Sequence, residues 1–174
     1  MMMAKRSVSV AERALPIRPF SESLPMALLR TREAVMRLFR PGLRRHGVTE
    51  QQWRVLRALA HSGPLEITEL AEATFLLAPS LSRILPDLEK RQLITRQQVD
   101  SDLRRYVVSL EAKGLRLIGM HAPYSEQMYA QIARRFGTER IAQLLGLLEA
   151  LESSLGDIPQ EQAPNRRRRR SSSR

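Results

Sequence analysis

The sequence predicts a mainly α-helical protein that carries one small β-hairpin, or wing. Apolar residues recur at three- and four-residue spacing through most of the chain, as on the buried face of a helix. Capping residues, prolines and glycines divide this pattern into separate helices. Only one pair of β-branched segments, Ile94–Gln97 and Tyr106–Leu110, flanks a polar tip, and such a pair is typical of a hairpin.

The first helix is predicted over residues 21–46, where apolar residues follow a helical spacing. Pro25 fits its first turn, because the first residues of a helix have no intrahelical partner for their N–H groups. Pro41-Gly42 is expected to kink or break the helix near Arg40.

The second helix has a well-marked start. Thr49 is the predicted N-cap and Gln52 follows three residues later, which is the pattern of a capping box. Val48 and Trp53 occupy the two positions of a hydrophobic staple. Gly63-Pro64 is expected to end this helix.

Two shorter helices follow, joined by a turn. The first covers about 66–74, and Phe75-Leu76-Leu77 forms the turn. The next helix, 79–91, begins with Pro79 at its first helical position and continues to about Arg91. Pro86 lies in its middle, removes one backbone hydrogen bond and should bend its axis.

After the hairpin, a long helix is predicted from Glu111 to Phe136, divided or kinked at Pro123, and Gly137-Thr138 separates it from the last helix. The last helix carries a stripe of apolar residues at alternating three- and four-residue spacing: Ile141, Leu144, Leu148, Leu151 and Leu155. Further leucines lie outside the stripe, so this helix needs partners on more than one side. We expect both chain ends to build a homodimer; packing within one chain is the alternative.

Composition excludes several classes of protein. The chain has 174 residues and no cysteine, so disulfides and thiolate metal sites are excluded and a cytoplasmic location is expected. No apolar run is long enough to span a bilayer, and the first residues lack the apolar region of a secretory signal. The three histidines lie in separate elements, and no phosphate loop or nucleophile elbow is present. We therefore expect no metal site, no cofactor and no enzymatic activity.

The formal net charge of +11 suggests a nucleic-acid partner, and its distribution suggests the domain organisation. Residues 1–20 carry a charge of +3 and are expected to form a flexible basic arm. Residues 159–174 carry +5 and are expected to form a disordered arginine-rich tail. Residues 21–158 are expected to form the folded domain, with a DNA-reading lobe at about 48–110.

The order of elements in this lobe is that of a winged helix-turn-helix. In that arrangement the start of the 79–91 helix, the recognition helix, lies against base edges in the major groove. The tip of the hairpin reaches a neighbouring minor groove. Two-fold pairing of the protein places two recognition helices about 34 Å apart, which matches an operator DNA with an inverted repeat.

Four segments resemble the MarR family of dimeric bacterial transcription regulators: GVTEQQWRVLRAL (47–59), ITELAE (67–72), PSLSRILPDLEKRQLI (79–94) and DLRRYVVSL (102–110). The segment LLRTREAVMRLFRP (28–41) is most similar to the branch of homoprotocatechuate-degradation repressors. The resemblance covers about 22–155. Pro86 and Glu111 depart from the family pattern, and Pro86 affects how the recognition helix would fit its groove.

The resemblance implies a set of DNA contacts. Arg83 would make a bidentate contact with a guanine. Asp102 would orient Arg104 into the minor groove, and Arg105 would face phosphate or the hairpin. The alternative is that these arginines are solvated surface residues and that the serines only start a helix. The full predicted set is Pro79, Ser80, Ser82, Arg83, Asp102, Arg104 and Arg105.

The resemblance also implies an aromatic acid effector, bound between the dimer helices and the DNA-reading lobe. Arg30 or Arg32 would bind its carboxylate, since a guanidinium matches two carboxylate oxygens. Three apolar side chains would surround its ring: Met36, Phe39 and Trp53. A hydroxyphenylacetate or a pyridine carboxylate fits this chemistry. The alternatives are a surface arginine, an interchain salt bridge to Glu33 or Glu22, and a tryptophan that is plain core.

Together these features predict a homodimeric repressor of an aromatic-catabolic operon, relieved by an aromatic carboxylic acid. A ligand-independent DNA-binding regulator is the first alternative. The second alternative is a helical protein- or RNA-interaction module with a basic tail, although such a module needs no arginine-tipped hairpin.

Overall fold

The computed structural model describes residues 18–99 and 102–156, and only the backbone of residues 99 and 102–104. A 3-10 turn, Phe20–Glu22, precedes the first helix. The helices are α1 (Leu24–Arg45), α2 (Glu50–Ser62), α3 (Ile67–Thr74), α4 (Ala78–Lys90), α5 (Ala112–Phe136) and α6 (Thr138–Gly156). The strands are β1 (Leu65–Glu66), β2 (Ile94–Val99) and β3 (Asp102–Leu110). The predicted basic tail and all but the last three residues of the predicted arm lie outside the described residues.

The mainly α-helical fold with a small wing is confirmed. At the two prolines where a kink or a break was predicted, the helix does not break. Helix α1 does not break near Arg40; it continues through Pro41 to Arg45. Helix α5 likewise continues past Pro123. Each proline removes one backbone hydrogen bond, and the packing of the flanking turns outweighs that loss. Helix α4 also continues through Pro86, as expected.

Helix α2 begins as its sequence predicts. The Gln52 amide N–H donates to Thr49 Oγ1 at 3.2 Å, and the Thr49 amide N–H donates to Gln52 Oε1 at 2.9 Å. This reciprocal pair is the capping box. The helix ends at Gly63, whose φ of 79° is a conformation that glycine adopts readily.

The turn between α3 and α4 lies where it was predicted. Phe75 ends α3 in the left-handed conformation, with φ of 51°. Leu77 is the N-cap of α4, so that the helix starts at Ala78 and Pro79 is its second residue rather than its first. The one-residue shift still leaves Pro79 in the first turn, where its missing N–H costs nothing.

The sheet contains a strand that the sequence did not predict. The order is β1-β3-β2, and both pairings are antiparallel. Strand β1 pairs with β3, with Leu65 opposite Val108. Because it has only two residues, it is too short to show the alternation of apolar and polar residues by which a strand is recognised in a sequence. Strand β3 starts at Asp102, four residues before its predicted start, and the backbone of the predicted tip arginines therefore belongs to the strand.

The chain divides into two compact units, one ending at Met128 and the other beginning at Tyr129. The first contains the hydrophobic core, to which α1–α5, β2 and β3 all contribute. Its fully buried side chains include Leu43, Leu56, Leu59, Leu70, Leu81, Leu85, Leu88, Leu93, Ile94 and Val108. In the second unit, none of the residues of α6 is buried.

Two glycines of α5 provide a test of the packing between this helix and Leu93, the residue before β2. A Cβ at Gly114 would lie 3.2 Å from the Leu93 carbonyl carbon and closer still to its oxygen. Gly114→Ala should therefore destabilise the protein by about 1–3 kcal/mol, because backbone must move. At Gly119 no described atom lies within 4 Å of the added Cβ. Gly119→Ala should stabilise by roughly 0.5–1 kcal/mol, since alanine favours the helix.

Urea unfolding of the two variants measures both changes. Midpoints that move in the same direction would contradict the close contact of Gly114 with Leu93.

Candidate nucleic-acid interface and effector site

Helix α4 has one buried face and one outward face. Its buried side chains are Leu81, Ile84, Leu85 and Leu88. This spacing leaves Pro79, Ser82 and Arg83 exposed, while Ser80 is partly buried. The structure therefore places three of the four predicted recognition-helix residues together on the outward face.

Two polar residues of this face differ in their availability. The Ser82 hydroxyl donates to the Ala78 carbonyl of its own helix at 3.0 Å, so its proton is already engaged. Arg83 has no ion pair or hydrogen bond among the described residues. Arg83 is thus the cation near the start of this face that is available for an external partner.

The second half of α4 is tied to the start of α2. Gln52 Nε2 donates to Asp87 Oδ2 at 2.7 Å, and Arg91 Nη1 donates to the Gly47 carbonyl at 3.0 Å. Arg91 also lies 3.6 Å from the Asp87 carboxylate. These contacts fix the direction of α4 relative to α2.

A salt bridge ties α4 to the wing. Arg96 Nε in β2 donates to Glu89 Oε2 at 2.8 Å, and Arg96 Nη2 donates to the same oxygen at 2.5 Å. The hydrogen bond from Arg96 lowers the pKa of the Glu89 carboxyl from its ordinary value. Both side chains are about one-third exposed, so the pair orients the wing more than it stabilises the fold.

The wing arginines have different surroundings. Arg105 donates twice to the Glu66 carboxylate, once from Nε at 3.0 Å and once from Nη2, and so ties β3 to β1. The predicted contact of Arg105 with phosphate or the hairpin stays a prediction, and Glu66 lies outside the β2–β3 hairpin. Asp102 and Arg104 lie at the start of β3, and their side chains are outside the described part of the chain.

At the predicted effector site, Arg32 already has partners within its own chain. Its Nη1 donates to Glu33 Oε1 at 2.8 Å and its Nη2 to Glu50 Oε2 at 2.6 Å. Arg40, which the sequence did not single out, donates to the same two carboxylates. Of the expected alternatives, a salt bridge to Glu33 is therefore present, but it forms within one chain.

This network joins α1 to the first residue of α2, Glu50. Burial raises the pKa of the Glu50 carboxyl, but hydrogen bonds from Arg40 and Arg32 outweigh that effect, and the pKa is lowered overall. The pKa of Arg40 is raised above its ordinary value by its hydrogen bonds to Glu33 and Glu50. The charged forms of Glu50 and Arg40 are therefore both favoured by this network.

The remaining predicted effector residues divide into surface and core. Arg30 is exposed on α1 and has no partner among the described residues. Phe39 is buried, and Met36 and Trp53 are partly buried and pack against the core. Trp53 thus packs against the core, as the alternative to a ligand-binding role predicted, and it remains partly exposed.

An aromatic cluster around Trp53 was missed by sequence reasoning. The His121 ring lies 4.5 Å from Trp53, 5.5 Å from His46 and 5.8 Å from Tyr124, measured between centroids. The Tyr124 hydroxyl donates to the Leu38 carbonyl at 2.7 Å. These residues come from α1, α2 and α5 and from the link between α1 and α2, so no local pattern brings them together.

His121 is the chemically distinctive member of this cluster. Its side chain is only 1% exposed, and its Nδ1 atom has no hydrogen-bond partner among the described atoms. Burial, followed by the nearby His46, lowers the pKa of His121 from its ordinary value. A neutral imidazole is therefore favoured at the joint between α1, α2 and α5.

His121 should make the protein less stable in mild acid. Below about pH 6.5 the unfolded chain protonates this imidazole while the folded protein does not, so stability falls as pH drops from 6.5 toward the folded pKa. The loss from one such group is at most about 1.4 kcal/mol per pH unit. His121→Phe should remove this part of the slope, as measured by urea unfolding between pH 7.5 and 5.5.

His61→Phe, at an exposed site on α2, is the matched control and should keep the wild-type slope. An unchanged slope in His121→Phe would show that this imidazole is not the group that titrates.

Two further findings concern the described residues alone. They contain no group of three or more metal-ligating side chains that could hold an ion. None of their helices is both long enough and apolar enough to cross a membrane.

Comparison with known proteins places this geometry in a family. A model described as MarR family matches residues 46–105. The chain is 40% identical to the homoprotocatechuate degradative operon repressor of Escherichia coli over 143 residues, which are 82% of this chain and 96% of that protein.

Two solved structures share the fold. The crystal structure of NadR in complex with 4-hydroxyphenylacetate is 34% identical, with a TM-score of 0.71, and the match covers 77% of this chain and 98% of NadR. The transcriptional repressor CouR bound to a 23-mer DNA duplex is 25% identical, with a TM-score of 0.69, over 76% of this chain and 94% of CouR. This chain therefore belongs to the MarR family, whose members are transcriptional regulators and not enzymes.

Proposed function

We propose that this protein is a homodimeric, sequence-specific DNA-binding repressor of an operon for the breakdown of an aromatic compound. It acts in the cytoplasm, and an aromatic carboxylic acid releases it from its operator. The observation that carries the proposal is the outward face of α4. There Arg83 has no partner among the described residues, while the opposite face of the helix is buried in the core. The relation to a degradative operon repressor supports the choice of target.

Helix α4 lies in the major groove in this proposal. Arg83 donates two hydrogen bonds to the O6 and N7 atoms of a guanine. Pro79 and Ser80 lie in the first turn of the helix, beside the phosphate backbone. Because its hydroxyl proton is engaged within the helix, Ser82 serves mainly as an acceptor.

The wing lies over the adjacent minor groove. Arg104 enters the groove, and Asp102 orients its guanidinium. Arg105 ties the wing to β1 through Glu66 and lies on the side of β3 that faces the phosphate backbone. The basic chain ends add phosphate attraction that is independent of sequence.

A second copy of the chain covers two apolar helix faces. Helix α1 exposes Leu24, Leu28, Leu29, Val35 and Leu38, and α6 exposes Leu144, Leu145, Leu147, Leu148 and Leu155. Exposed apolar surface of this extent is typical of an interface. The pairing sets two recognition helices about 34 Å apart, so the operator is an inverted repeat.

The effector binds at the joint between α1 and α2. Its carboxylate contacts Arg32 or Arg30, and its ring packs beside Met36, Phe39 and Trp53. At Arg32 the incoming carboxylate replaces that of Glu50, which is the first residue of α2. The exchange favours a dimer whose recognition helices are wrongly spaced for DNA. NadR, bound to 4-hydroxyphenylacetate, supports a hydroxyphenylacetate as ligand, and a pyridine carboxylate has the same charge and ring.

A regulator that needs no ligand is the second candidate. One observation favours it: both carboxylates near Arg32 already satisfy that guanidinium. An effector must then compete with an intact network. The helical interaction module is the least supported function, because it leaves the outward face of α4 unexplained.

The DNA-binding proposal is tested by selecting duplexes from a randomised pool with the purified protein. An inverted repeat is expected. On the selected operator, Arg83→Ala and Arg104→Ala should each weaken binding by about 1–3 kcal/mol, the scale of one specific groove contact. Arg57→Ala, at an exposed site on α2, is the control and should bind as the wild type does.

Recovery of no preferred sequence rejects the function as a whole. An unaltered affinity of Arg104→Ala removes only the wing from the mechanism.

The effector proposal is tested by titrating 4-hydroxyphenylacetate and nicotinate against the protein–operator complex. Release is expected below millimolar concentration. Arg30→Ala should bind the operator normally. Arg32→Ala also loses the Glu50 pairing and should bind the operator more weakly than the wild type even without acid. The variant that lacks the anchor should no longer respond to the acid. If no aromatic acid releases the DNA, the ligand-independent regulator stands.

A further inference from the structure

We propose that Phe75 and Leu77, the turn patch, read thymine 5-methyl groups in the major groove beside the start of α4. The inference rests on the proposed function, since it assumes that α4 docks on DNA. It assigns part of the sequence preference to apolar contact rather than to hydrogen bonds.

The exposure of the turn patch is the first support. Phe75 is 81% exposed and Leu77 is 77% exposed. They are the two most exposed large apolar side chains in the described part of the chain; the next, Leu147, is 70% exposed. Leaving both in water forgoes burial that would stabilise the fold, so the turn patch suits an external apolar partner.

Local conformation gives the second support. Phe75 has φ of 51°, a left-handed conformation in which glycine and asparagine are favoured and a bulky residue is strained. Leu77 occupies the N-cap of α4, with φ of −70° and ψ of 146°, and provides no side-chain hydrogen bond to the helix. Serine, threonine, aspartate or asparagine would cap the helix there. Both positions therefore carry an apolar residue where folding favours a different one.

The turn that presents these residues is held firmly. Leu76, between them, is buried, and its amide N–H donates to the Ala71 carbonyl at 3.1 Å. Arg54 Nη1 in α2 donates to the Thr74 carbonyl at 2.8 Å. The turn patch is thus presented in a fixed position and loses little freedom on binding.

The turn patch continues into the outward face of α4, which is poor in hydrogen-bond donors. Ala78 and Pro79 follow Leu77 and are exposed, and the Ser82 hydroxyl proton is engaged within the helix. In the described first two turns of α4, Arg83 is the cation that suits a guanine. The major groove offers one apolar recognition group, the C5-methyl of thymine, and an alkyl or phenyl side chain is its natural partner.

The test uses the operator selected by the wild-type protein, with single thymines replaced by deoxyuridine. This change removes only the methyl group. We expect roughly a four-fold loss of wild-type affinity for each contacted methyl, the effect of exposing about one carbon's worth of apolar surface. Leu77→Ser should bind equally well to the thymine and deoxyuridine forms of the operator at the thymine that Leu77 contacts. Phe75→Asn should do the same at the thymine that Phe75 contacts.

These two variants separate recognition from folding. Serine suits the N-cap and asparagine suits the left-handed conformation, so both should have a Tm equal to or above that of the wild type. Leu115→Ser is the matched control: Leu115 is 59% exposed on α5, and its replacement should leave the discrimination against deoxyuridine intact.

The outcomes distinguish the two proposals. If selection yields no preferred sequence, the proposed function fails and the inference fails with it. If an operator is selected but the wild type binds its deoxyuridine forms equally well, the inference alone is overturned, as it would be if a protein rather than DNA covered the turn patch. Retained discrimination in both variants also overturns it.

Discussion

The burial of one apolar face of α4 is the constraint on which the rest of the structure depends. With Leu81, Leu85 and Leu88 fully enclosed, the helix has a single rotational setting. Its opposite face, with Arg83, must then be turned outward. The hydrogen bonds from Gln52 to Asp87 and from Arg96 to Glu89 set its direction, so α4 is held in a fixed relation to α2 and to the wing.

A second junction connects that surface to α1. It consists of an ionic part, in which Arg32 and Arg40 share the carboxylates of Glu33 and Glu50, and an aromatic part around His121. Both parts meet α2, the helix to which α4 is tied. Any ligand that alters the partners of Glu50 therefore acts at the base of the DNA-reading lobe, without needing to touch the recognition helix.

Much of the fold could be predicted from the sequence, because its signals are local. The capping box at Thr49, the stop at Gly63 and the apolar spacing of α4 each report one element. The predictions failed where tertiary packing overrides a local rule, as at Pro41, or where an element is too short to have a period, as in β1. For the candidate site, the sequence predicted which side chains of α4 face outward. It could not show that the Ser82 hydroxyl donates to a carbonyl of its own helix. The ion network and the His121 cluster join distant segments and carry no local signal.

The pairing of Arg105 with Glu66 has an evolutionary implication. A carboxylate beside a cation offsets the attraction of that cation to a polyanion, and loss of the Glu66 carboxylate would raise the net positive charge beside the wing by one. A change at position 66, outside the recognition helix, could thus tighten non-specific binding while the base-reading side chains stay as they are. Descendants of this protein could in this way alter how long they reside on chromosomal DNA without altering which sites they prefer.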